Sequence, residues 1–166
     1  MPCGKTHAKF SLMLAPVVAV ATLAITRDPM YAVASGLGCL AGIPLTPDLD
    51  QEGISSSEYW IIKWTLGLGF LWTMIWFPYA LLCPHRSFIS HFPIISTFLR
   101  LLYLSVLAAL ICYFCSLRIP AFDYLIAIWA VFGLVVSDSV HWALDVKFGD
   151  PFRHDSNRGK LEIRRA

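Results

Sequence analysis

The sequence predicts an all-α, multi-pass transmembrane helical bundle, with four spans and a further apolar stretch that lies at the interface or re-enters. Composition and pattern both point there. Hydrophobic residues make up 57% and charged residues 14% of the 166-residue chain, far from a soluble average, and the mean hydropathy is +0.64. The longest apolar runs also lack a polar face: in residues 101–117 only Ser105 and Ser116 interrupt with a small hydroxyl, which leaves no side of a helix to meet water. At 14% aromatic residues, the chain has the apolar area that disordered segments lack.

Uncharged runs cover residues 10–26, 31–47, 64–84, 101–117 and 124–137, the last continuing to Trp142. Most lie near the roughly 17 residues that mark the lower limit of a helical span. The first follows Lys5 and Lys9, and Ala32-Val33-Ala34 resembles a signal-peptide cleavage pattern, but Arg27, Asp28 and Pro29 interrupt the approach to it, which favours a retained span. The third run differs. Tyr59, Trp60, Lys63, Trp64, Trp72, Trp76 and Tyr79 are residues that favour the headgroup level, and Gly67-Leu68-Gly69 breaks its middle.

Charge bias separates four spans from the alternative of five. Without a third crossing, the N-terminus, residues 47–100 and the C-terminal tail share one face; eleven of the 13 basic residues lie there, with Arg27 and Arg118 opposite. With a third crossing, Lys5, Lys9, Lys63 and Arg118 stand against the other nine. Lysine and arginine concentrate on the cytoplasmic side of short loops. The four-span arrangement is therefore expected, in the cell membrane with both termini cytoplasmic: residues 1–146 form a membrane-embedded metal-binding domain, and residues 147–166 a basic tail against lipid.

A net charge of +2 with dispersed basic residues excludes a nucleic-acid surface. The five cysteines are odd in number, and Cys39, Cys112 and Cys115 sit in apolar runs, where they act as small hydrophobes. The Cys112 and Cys115 C-x-x-C has no redox fold around it.

Few ionisable side chains lie in or beside the spans. Each is a site candidate, because such a group needs a partner, a cavity or an ion. They are His7; Asp48 and Asp50 in Pro47-Asp48-Leu49-Asp50; His85 and His91, flanking Arg86 between Pro84 and Pro93; and Asp138 with His141. Asp138 and His141 share a helical face one turn apart, an acid-x-x-His arrangement found in helical metal sites; a helix-end ion pair is the alternative. Asp145 continues that face, as a further ligand or as the acceptor that orients the imidazole. Asp48 and Asp50 follow Pro44 and Pro47, where a helix must stop, either as oxygen ligands on a turn or as solvated acids. His85 and His91, six apart, must converge from a loop.

The four-span topology gathers His7, Asp48, Asp50, His85, His91, Asp138 and His141 at one membrane face, whereas five spans would divide them. Charge bias and ligand gathering select the same topology. Imidazole with carboxylate suits zinc, with manganese or iron as alternatives, and seven candidates leave room for one or two ions. Arg86 is the catalytic candidate, able to hold an anionic oxygen by a forked contact, with membrane anchoring as its other role.

Gly4-Lys5-Thr6-His7, Pro47-Asp48-Leu49-Asp50, Pro84-His85-Arg86-Ser87-Phe88-Ile89-Ser90-His91 and Asp138-Ser139-Val140-His141-Trp142 together resemble a family of uncharacterised metal-binding multi-pass membrane proteins, related to inner-membrane metal-dependent hydrolases. The resemblance implies metal binding at the matched positions and suggests hydrolysis. Gln51 stands where the related hydrolases often carry histidine, and Phe92 where family members often have glycine. The first departure puts one metal position in question, and a bulky ring at the second would narrow the pocket mouth. The function expected is a membrane-bound metal-dependent hydrolase acting on a phosphoester, such as a lipid headgroup, at the cytoplasmic face, with membrane lipids as its surroundings. The alternatives are a non-catalytic metal-binding or structural membrane protein and, behind it, a metal transporter, for which the middles of the spans lack a ladder of acids and histidines.

Overall fold

Helix-ending residues set the elements in the computed structural model, which describes residues 4–50, 56–65, 69–83, 88–118 and 123–148. Helix α1 (Gly4–Thr26) stops where Arg27 adopts left-handed backbone, φ 57°, and the Arg27 N–H closes on the Leu23 carbonyl at 2.8 Å. Asp28 then caps α2 (Pro29–Ala41) by accepting the Met30 N–H at 2.7 Å, with Pro29 supplying a pre-set φ in the first turn. A 3-10 turn (Pro47–Asp50) follows. Beyond it come α3 (Ser56–Trp64), α4 (Gly69–Leu82), the single turn α5 (Phe88–His91), α6 (Pro93–Phe114) and α7 (Tyr124–Phe148), with no strand among the described residues.

Among the described residues, three helical segments are long and apolar enough to cross a membrane: Thr6–Thr26, Pro93–Phe114 and Tyr124–Val146. Two boundaries correct the sequence expectation. The span expected over 31–47 is a helix of 13 residues, about 20 Å long at a rise of about 1.5 Å per residue, short of the roughly 30 Å hydrocarbon core. Gly42, Pro44 and Pro47 end it early. The span expected over 101–117 starts instead at Pro93, which suits the first helical position, so Arg100 lies inside a helix rather than before one. The apolar stretch at 64–84 contributes the 14-residue α4, against which α3 packs. Of the tail expected over 147–166, residues 149 onward lie outside the described residues.

Polarity is distributed opposite to that of a water-soluble bundle. Leu12, Met13 and Val17 of α1, Phe98 and Leu102 of α6 and Ile128 of α7 are exposed, whereas Ser11, Thr22, Ser35, Ser96, Thr97 and Ser137 are buried. Apolar groups outside and hydroxyls inside suit helices whose solvent is hydrocarbon.

Helix α2 packs against both α1 and α7. Its approach to α7 is backbone on backbone: a Cβ on Gly38 would strike the main chain of Ala130, and one on Gly133 would strike the main chain of Ser35 and Cys39. Small residues at the crossing permit this. The Ser11 and Ser137 hydroxyls bond at 2.8 Å between α1 and α7. A second cluster seats Leu49 of the 3-10 turn against Trp76 and Tyr79 of α4, with Leu99 and Tyr103 of α6 beside them. The Trp76 and Tyr79 rings meet edge to face, centroids 5.4 Å apart, a geometry aromatic pairs favour. Leu49 thereby anchors the turn that carries Asp48.

Gly133→Val inserts methyl groups into the α2–α7 contact and is expected to destabilise the protein by about 1–3 kcal/mol, whereas Ile128→Val on the exposed face is near neutral. Thermal unfolding in detergent, followed by circular dichroism, measures both; a Gly133→Val protein as stable as the native chain would contradict the close crossing.

Candidate metal centre

Four segments bring their polar side chains to one end of the bundle. His141 and Asp145 stand one turn apart on α7, with His141 Nε2 3.3 Å from Asp145 Oδ2. Helix α1, packed on the same α2, carries His7 Nε2 to 3.3 Å from Asp145 Oδ1. One carboxylate thus offers an oxygen to each imidazole. The two rings stack with centroids 3.8 Å apart and planes inclined by 19°. The 3-10 turn sets Asp48 Oδ1 3.7 Å from His141 Nε2 and 4.0 Å from His91 Nε2 of α5. His7, His91, His141 and Asp145 are buried, while the Asp48 side chain keeps 24% exposure and marks the open side.

Hydroxyls attend the far nitrogens of two of these rings. Thr46 Oγ1 lies 3.5 Å from His141 Nδ1, and Ser90 Oγ lies 3.0 Å from His91 Nδ1. A partner at Nδ1 orients an imidazole and leaves Nε2 for its other task. Thr46 also accepts the Asp48 N–H at 3.4 Å, so it supports a carboxylate-bearing turn and an imidazole together. Sequence reading missed both hydroxyls; the signals were a threonine two residues before Asp48 and a serine adjoining His91.

Ligand atoms of His7, His141 and Asp145 lie within 4.8 Å of one another, near enough to converge on one ion. His141 Nε2 is buried near two carboxylates yet aligned for a hydrogen bond with neither. Donors that point at a shared position rather than at each other fit a ligand set, and imidazole with carboxylate is the donor chemistry of zinc, manganese and iron. These residues fit a divalent metal.

Surrounding protein raises the Asp48 carboxyl, but the close approach of the His141 imidazole and the charges of His141 and His91 outweigh that burial and hold it below the usual carboxylate range. Of the residues singled out from sequence, His7, Asp48, His91 and His141 meet here, joined by Asp145. Asp138 is engaged by α6 instead: its Oδ2 accepts from Arg100 and Thr97. Asp50 ends the 3-10 turn, but its side chain lies outside the described residues, as do His85 and Arg86.

Residues 2–147 match the family described as uncharacterized metal-binding protein (DUF2227). The chain belongs to this family. That description agrees with the donor set at the bundle end, and it names no reaction. No curated protein and no solved structure matches the chain, so nothing in these comparisons ties the family to membrane hydrolases.

The pH response of Asp48 follows from its partners. A carboxyl depressed in the folded state adds stability that is complete above its unfolded value, near pH 4, and is lost as the pH falls through the folded value. In metal-free protein, Asp48→Asn is expected to lose less stability than the native chain on acidification below about pH 4. Thermal unfolding across that range measures it, and identical slopes would show that His141 and His91 do not hold Asp48.

Proposed function

We propose that this chain is a multi-pass membrane protein that holds a divalent metal at one end of its bundle, through His7, His141 and Asp145 with Asp48 and His91 alongside, and serves metal-dependent hydrolysis of a phosphoester at the membrane surface. The convergence of three imidazoles and two carboxylates from four separate segments carries this reading. Topology supports it: His7 opens α1, Asp48 follows α2, His91 precedes α6, and His141 and Asp145 close α7, so an α2 that returns to the starting face lets all five meet. On the four-span reading most basic residues of the sequence fall on that face, and we therefore propose that it and both termini are cytoplasmic.

A bound divalent ion supplies Lewis-acid polarisation of a phosphoryl oxygen. The chain's own residues do the rest. Asp145 divides its oxygens between His7 and His141, Thr46 and Ser90 orient imidazoles, and the partly exposed Asp48 borders the side from which a substrate enters. Zinc is the ion these donors suit first. A second reading, a metal that only fastens the helices, is favoured by the depth of the site: His91 is 2%, His141 6% and His7 7% exposed.

Metal analysis of detergent-purified protein tests the first half of the proposal. About one or two ions per chain are expected, with affinity reduced at least tenfold by His7→Ala and by Asp145→Ala, as disturbed metal shells show. Hydrolysis of bis(p-nitrophenyl) phosphate and of phospholipid vesicles, before and after metal removal, tests the second. Bound metal without turnover would leave the fastening role, and no metal even after reloading would remove both.

A further inference from the structure

The fully buried side chains of helix α6 are mostly polar. Its buried residues are Pro93, Ser96, Thr97 and Arg100, and Arg100, like the Asp138 it faces on α7, is 1% exposed. The Arg100 guanidinium donates through Nη2 to Asp138 Oδ2 and to Ser96 Oγ, the latter at 3.2 Å, and through Nε to the Ser96 carbonyl at 3.2 Å. The Thr97 hydroxyl divides its proton between the Pro93 carbonyl, at 2.7 Å, and the same Asp138 oxygen. Both charges lie within helices long and apolar enough to cross a membrane, where water offers neither a substitute partner.

We infer that the Arg100–Asp138 ion pair is a positioning clamp for the metal centre, setting the height of α6 on α7 and hence the point at which His91 meets Asp48. This rests on the metal reading above. His91 joins α6 through Phe92 alone, and Asp138 precedes His141 by a single helical turn. Every residue between the clamp and the ligands is therefore in or next to a helix, and the clamp's position is transmitted rigidly. A slip of α6 by one turn, about 5.4 Å, would take His91 out of reach of Asp48, which now lies 4.0 Å away. Purely apolar faces resist such sliding weakly in a bilayer, because lipid chains are as apolar as the side chains. A buried ion pair admits one register. The Phe92 and Trp142 rings, edge to face with centroids 6.3 Å apart, support the same junction between clamp and ligands.

Cobalt(II) titration of the full chain in detergent tests the clamp, reading the dissociation constant and the visible absorption bands that report ligand geometry. Removing one charge would strand the other, so the main variant is the double substitution Arg100→Met with Asp138→Leu. Thr97→Val keeps both charges and removes only the hydroxyl. Arg100→Lys keeps the charge without the fork. The double variant is expected to lose about tenfold or more in cobalt affinity with shifted bands, Thr97→Val to lose less, and Arg100→Lys to bind more tightly than the double variant. Native affinity and spectrum in the double variant would overturn the clamp. Should that variant not fold, native binding by both Thr97→Val and Arg100→Lys would overturn it equally. A native chain that binds no cobalt defeats the metal reading itself, whereas native binding with indifferent variants defeats the clamp alone.

Discussion

At Gly38 and Gly133 the main chains of α2 and α7 meet with no side chain between them, and the placement of the polar residues depends on that closeness. Because α2 also packs on α1, the three helices draw together until Ser11 reaches Ser137 and, a turn further along α1, the His7 ring stacks on His141. A wider crossing would part those rings. The spacing of the site is thus decided by two residues that carry no chemistry.

Among the described residues, ionisable groups inside the bundle occur at two levels. One is the imidazole and carboxylate cluster at the end; the other is the Arg100, Asp138, Ser96 and Thr97 group between α6 and α7. Burying such groups is unfavourable unless each finds a partner, and in hydrocarbon the partners must come from the protein. At both levels some of these partners come from a different helix, as Asp138 does for Arg100 and Thr97 and Asp145 for His7, so interactions that offset burial also fix how the helices sit.

The sequence made some of this plain and hid the rest. Apolar runs revealed α1, α6 and α7, because a helix in lipid needs an uninterrupted apolar surface. They overstated α2, since Gly42, Pro44 and Pro47 are compatible with an apolar run while ending a helix within it. Scarce ionisable residues marked His7, Asp48, His91 and His141, and helical spacing attached Asp145 to them. Spacing could not separate Asp138 from that set: residues three and four from His141 lie on one face, and only the neighbour across from each distinguishes a partner of Arg100 from a partner of imidazole. Arg100 itself resembled a residue outside the membrane, because the apolar run begins only after it, although Pro93, about two turns earlier, suits a first helical position. Thr46 and Ser90 were invisible for a similar reason, as hydroxyls are common and their significance lies in what they face.

His7 is near the beginning of the chain and Asp145 near the end of its last described helix. A ligand set drawn from both cannot exist while the protein is being made, since α7 must enter beside α1 and α2 before their groups adjoin. On the proposed metal and membrane readings, capture of an ion would report completed insertion, and an ion held only by the assembled helices would stabilise them by mass action. In a bundle whose middle helix is too short to span alone, such a late cross-link would lock an arrangement that the apolar surfaces leave free to drift.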